Sequence, residues 1–156
     1  MTTSTAAPLT TLQTGHVGLN VSDLDRSRDF YQRMFGLQVV KEGADEAHRF
    51  VFLARDGRLV VTLFQQSSGV FDTATPGLHH LSFQVESMED VRAAEEVART
   101  LGAPIFHDGI VAHSEGATSG GIFFADPDGI RLEIFAPTGA DESPAPSGEA
   151  PTCGFF

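Results

Sequence analysis

Apolar and polar residues alternate in two short stretches of the chain that match one another. His16-Val17-Gly18-Leu19-Asn20-Val21 aligns with His80-Leu81-Ser82-Phe83-Gln84-Val85 at an offset of 64 residues, with apolar side chains at the same alternate positions. A period of two predicts a strand with one apolar face. Ser22-Asp23-Leu24-Asp25 and Ser87-Met88-Glu89-Asp90 follow, each setting a serine cap ahead of an acid in the manner of a capping box. The spacing then predicts one helix over about 23–35, with Leu24, Tyr31, Met34 and Phe35 on one side, and a second over about 88–101, with Val91, Ala94, Ala98 and Leu101 on one side. Gly36 and Gly102 stand just past the two helices, where a left-handed cap is expected.

Strand-like sequence follows each helix, at 37–41, 47–54 and 58–65 and again at 103–107, 120–125 and 130–136. Asp56-Gly57 and Asp126-Pro127-Asp128-Gly129 supply hairpin turns. The pattern predicts an α+β fold of two βαβββ modules, 15–65 and 78–137, joined by 66–77 within one domain, 14–137. Val17, Leu19, Val21 and Leu81, Phe83, Val85 are the faces a helix would cover, which leaves His16 and His80 on the opposite faces. In the last strand Ile130, Leu132 and Ile134 take the helix side, so Glu133 lies with Arg131 and Phe135 on the other. If the two modules curl into one curved mixed sheet, His16, His80 and Glu133 share its concave face.

Composition narrows the function. A chain of 156 residues has room for one domain of ordinary size. Ten Lys and Arg against 21 Asp and Glu give a net charge of -11, which argues against nucleic acid or an anionic membrane as partner. Hydrophobic residues make up 41%, with 13 Phe, enough for a packed core. The one cysteine, Cys153, cannot close an intrachain disulfide, and the start of the chain lacks the basic and apolar regions of a secretory signal, so a cytoplasmic protein is expected. Segments 1–13 and 138–156 have the composition of tails, yet the second ends in Phe155-Phe156, a pair expected to dock at the mouth of the concave site or at a dimer groove.

Two imidazoles at equivalent positions of a repeat, with a carboxylate on the same face, make a donor set for Fe2+, Mn2+, Ni2+, Co2+ or Zn2+ with open coordination positions. His16, His80 and Glu133 are the candidate metal ligands.

On these residues the chain resembles the vicinal oxygen chelate superfamily, which includes glyoxalase I, bleomycin-resistance proteins, fosfomycin-resistance transferases, methylmalonyl-CoA epimerases and extradiol dioxygenases. The resemblance spans 15–137 and rests on the stretch 16–24 leading to Phe30-Tyr31 and Phe35-Gly36-Leu37, on Gly77-Leu78-His79-His80-Leu81-Ser82-Phe83, and on Asp126-Pro127-Asp128-Gly129-Ile130-Arg131-Leu132-Glu133. It implies metal ligation by His16, His80 and Glu133, with His79 one register off and turned away. The fourth ligand of glyoxalases and epimerases falls on Thr62, a poor ligand, which moves the resemblance toward the three-ligand extradiol dioxygenases. Their signature is similar to 122–129, but Phe123 replaces a tyrosine, and His113 stands near the signature histidine after a spacer one residue too long. His113 is thus the candidate catalytic residue, and standard catechol cleavage is not expected without the tyrosine hydroxyl.

The resemblance implies a small metal-dependent enzyme that chelates two oxygens of its substrate, dioxygenase-like or lyase-like. A pocket lined by Thr62, Phe64, Phe123 and Phe135, with Phe52 nearby, suits an aromatic or apolar small molecule. The alternative is a metal-free protein that binds an antibiotic or metabolite. The resemblance also implies a homodimer.

Overall fold

The computed structural model describes residues 9, 11–43 and 45–156, so the expected tail 1–13 falls largely outside the described residues. The first module runs β1 (Val17–Asn20), α1 (Leu24–Phe35), β2 (Gln38–Gly43), β3 (Phe50–Arg55) and β4 (Arg58–Phe64). The second runs β5 (Leu81–Gln84), α2 (Met88–Thr100), β6 (Ile105–Ala112), β7 (Gly120–Ala125) and β8 (Arg131–Ala136). Two sheets result, ordered β1-β4-β3-β2 and β5-β8-β7-β6. In each, the opening strand pairs in parallel with the last, a pairing that needs the long crossover the helix and hairpins supply. This is the two-module α+β architecture that the repeat predicts.

Leu19, Val21, Leu132 and Ile134 are buried in one apolar cluster that spans both modules and includes Tyr31 and Met34 of α1 and Val91 and Ala98 of α2. The Ser87 cap of α2 is reciprocal: its hydroxyl accepts from Asp90 N–H and the Asp90 carboxylate accepts in return. At α1 the expectation fails by one residue. Asp23 is the cap, accepting from Arg26 N–H at 3.1 Å, because Ser22 serves a distant carboxylate. Both the Ser22 N–H, at 3.0 Å, and its hydroxyl donate to Asp128, which also takes Arg26 Nη2 at 2.9 Å. A buried carboxylate is acceptor-only and must collect donors.

That bond belongs to a latch between the modules. The Tyr31 hydroxyl donates to Asp126 at 2.8 Å, Phe71 N–H to the Asp128 carbonyl at 2.8 Å, and the Phe35 and Phe83 rings lie 4.3 Å apart. The turn 126–129 therefore closes a hairpin and also fastens α1 to the second sheet.

Two strand boundaries differ from expectation by three residues or more. β3 starts at Phe50 rather than 47, because the Asp45 side chain accepts from Ala47 N–H and holds a turn. β6 continues to Ala112 instead of ending at 107: His107 and Asp108 take left-handed φ of 61° and 59°, the register with β7 shifts, and the strand resumes. β6 is also the sheet edge, and the segment 138–156 runs along it. Pro144 O accepts from Ala112 N–H at 2.8 Å, Gly148 O from Glu115 N–H at 2.7 Å and His113 O from Thr152 N–H at 2.7 Å. Covering an edge satisfies its backbone groups and blocks foreign pairing. Among the described residues no helix is long and apolar enough to cross a membrane.

Candidate functional site

Ladder register puts one row of side chains across the second sheet. Phe106 on β6 pairs with Phe123 on β7, Phe123 with Glu133 on β8, and Glu133 with Ser82 on β5. Because paired residues share a face, Phe123 and Glu133 point to the side away from α2. Glu133 is only 3% exposed. Its carboxylate meets two imidazoles: His113 Nε2 lies 2.6 Å from Oε1 and His80 Nε2 lies 3.3 Å from Oε2. Among the described residues no arginine or lysine pairs with it.

Hydrogen-bond chemistry orients both rings. An ionised carboxylate only accepts, so each Nε2 facing it carries the proton. On the other side of its ring, His113 Nδ1 is hydrogen-bonded to the Ser119 hydroxyl at 2.8 Å. His80 Nδ1 is the acceptor for His79 Nδ1 at 2.8 Å, which brings His79 into the network although its side chain is exposed. Burial pushes the His80 pKa down, against an opposing pull from Glu133, and a neutral ring is the form that ligates a metal. The Cys153 thiol is pushed up by burial and by the Glu133 charge, so it stays protonated.

The structure brings His80, His113, Glu133, Phe123 and Phe135 together, with the Phe135 ring 5.1 Å from that of His113. His16 stands apart, exposed just before β1 and touching none of them. Thr62 and Phe64 belong to the first sheet, where Phe64 joins Phe50 and Phe52 at ring separations of 6.3 and 6.4 Å. Thr62 Oγ1 is buried without a hydrogen-bond partner among the described residues. No three His, Cys, Asp or Glu side chains among the described residues are arranged as a ready-made cation site, because the imidazoles turn onto the carboxylate itself. The donor chemistry still fits a divalent metal: a buried carboxylate with no arginine or lysine partner among the described residues, beside two imidazoles.

Arg131, Phe106 and Ser119 also belong to the site and were not among the sequence candidates. Arg131 had a signal, since it precedes Glu133 by one period of the strand; Ser119 had none. A cavity of about 720 Å³ lies on the opposite face between the end of α1 and α2, lined by residues such as Met34, Phe83 and Val97, and contains no histidine.

The model of the Glyoxalase/Bleomycin resistance protein/Dioxygenase superfamily matches residues 13–134. The chain is 31% identical over 139 residues to the trivalent organoarsenical cleaving enzyme of Bacillus sp. (strain MD1), covering 88% of this chain and 80% of that one. It is 26% identical over 125 residues to the catechol-2,3-dioxygenase of Bacillus subtilis (strain 168), covering 78% of this chain but only 40% of that relative's length. Among solved structures, the glyoxylase/bleomycin resistance protein/dioxygenase domain from Frankia sp. EAN1pec is 30% identical with a TM-score of 0.71, over 82% of this chain and 93% of that one. The fold alone is shared with the fosfomycin resistance protein FosX of Listeria monocytogenes complexed with Mn(II) and sulfate, 23% identical with a TM-score of 0.61, over 85% of this chain and 97% of that one. With most of its length matched, the chain belongs to the Glyoxalase/Bleomycin resistance protein/Dioxygenase superfamily.

Proposed function

We propose that this chain is a metal-dependent enzyme acting on an aromatic or apolar metabolite that presents two neighbouring oxygens. His80 and Glu133 are two of its three metal ligands, and His16 of a second copy of the chain, in a homodimer, is the third. The observation that carries this reading is the buried Glu133 carboxylate with two imidazoles and aromatic walls. His16 occupies in the first module the place of His80 in the second, which is why the missing imidazole is assigned to it.

A bound divalent metal supplies Lewis-acid polarisation of the two oxygens. Phe123 and Phe135 exclude water and favour an apolar substrate. His113 steadies Glu133 through Nε2–H and, with Ser119 behind it, holds a proton beside the reacting oxygens. Arsenic cleavage is the weaker assignment, because trivalent arsenic prefers thiolates and the chain's one thiol, Cys153, is held protonated.

Elemental analysis of protein purified without chelator tests the reading. Wild type carries stoichiometric divalent transition metal, and His16→Ala, His80→Ala and Glu133→Ala lose it while keeping the fold. His113→Ala keeps the metal. Wild type that takes up no metal at micromolar concentration overturns the reading in favour of a metal-free binding protein.

A further inference from the structure

Thr152 is fully buried and tied twice to the end of β6, its N–H to His113 O and its hydroxyl to Ala112 O, both at 2.7 Å. The short 3-10 turn Thr152–Gly154 then lays Phe156 over the Glu133 face. The Phe156 ring centre lies 4.6 Å from that of Phe123, 5.5 Å from Phe106 and 5.6 Å from His80. Arg131 sits 5.4 Å over the same ring and donates through Nη1 to the Phe156 carbonyl oxygen. Arg131 Nε is held by His79 O at 3.1 Å, which fixes the plane of the guanidinium. Phe155 is 62% exposed, so beyond the turn Phe156 is held to this face by its ring and by its oxygen on Arg131.

A ring between Phe123, Phe106 and an imidazole, with an acceptor oxygen on an oriented guanidinium, is a recognition pattern that an external molecule satisfies equally well. We propose that Phe156 fills an aryl subsite of the Glu133 site and that the ligand is an aromatic carboxylate or aryl carbonyl compound, whose ring displaces Phe156 and whose oxygen takes over Arg131. This rests on the proposed function and names its substrate class. A site closed by its own chain binds with an affinity reduced by the fraction of time it stands open. Cys153 lies in the turn that must move and is half-buried, so its alkylation rate reports the displacement.

The test uses the full chain as purified, with 3-phenylpropanoate as probe, hexanoate as the ringless control, and metal content counted on the same samples. Calorimetry is expected to show Phe156→Ala binding 3-phenylpropanoate on the order of tenfold more tightly than wild type, with no such gain for hexanoate. In that background Arg131→Gln loses most of the gain, while its melting transition stays that of the parent. The probe also speeds iodoacetamide alkylation of Cys153 in wild type at fixed pH. Equal affinity for the probe in wild type and Phe156→Ala, no binding by either, or an alkylation rate indifferent to the probe overturns the proposal. Loss of the metal reading shows separately in the elemental analysis.

Discussion

The Tyr31 hydroxyl donates to Asp126 Oδ2 at 2.8 Å across 95 positions of the chain, and both side chains are closed to water. Asp126 also accepts from the N–H groups of Asp128 and Ile130, both at 2.9 Å, so one carboxylate holds the β7–β8 turn and docks α1 on it. Since β8 carries Glu133, this bond connects the packing of the first module to the placement of the site in the second.

Tyr31→Phe is therefore expected to cost about 1–3 kcal/mol of stability, the penalty for a buried acceptor that loses a donor. Chemical denaturation measures it. Burial and Asp126 hold the Tyr31 pKa well above the ordinary tyrosine value. Above about pH 10 the unfolded chain releases this proton and the folded chain keeps it, so stability falls as pH rises there. In Tyr31→Phe that part of the alkaline loss disappears; a wild-type curve flat across this range would contradict the assignment.

The proposed sharing of the site between two copies makes a sharper prediction. His16→Ala and Glu133→Ala each bind no metal alone, but refolded together in equal amounts they recover about a quarter of the wild-type content, since half the dimers are mixed and each has one intact site. A site closed within one chain recovers none.

Phe123 is fully buried beside Glu133, where a tyrosine hydroxyl would enter the site. Wild type is expected to cleave simple catechols slowly or not at all after anaerobic iron loading and admission of oxygen, and Phe123→Tyr to raise the rate. Oxygen uptake measures both. Brisk cleavage by wild type would show that the hydroxyl is dispensable.

Gly121 pairs with Phe135 next to the site, and a Cβ there would collide with the Ile134 carbonyl oxygen. Backbone cannot retreat as a flexible side chain does. Gly121→Ala is expected to destabilise the fold by roughly 1–3 kcal/mol, as overpacking of a tight core does, and to lower metal content through the displaced β8. An unchanged melting temperature would show that the strands separate without cost.

Local pattern carried much of the architecture. Alternation along 16–21 and 80–85, the serine ahead of α2 and the Asp-Gly turns each depend on neighbours a few residues away, and they yield both modules and the faces of their strands. The same alternation puts Glu133 and Arg131 on one side of β8. Other features needed the chain to pack. His113 reaches Glu133 because β6 runs past its left-handed break at His107 and Asp108, a continuation that no period announces. Ser22 leaves its cap for Asp128 because α1 lies on the 126–129 turn, and His16 stands away from Glu133 because Tyr31 and Asp126 set how the two sheets meet within one chain. Phe156 reaches the face because Thr152 is anchored at the end of β6 through its N–H and its hydroxyl, bonds that composition cannot express. Periodicity is a property of one element, whereas these contacts join residues far apart in sequence and depend on the shape of the whole core.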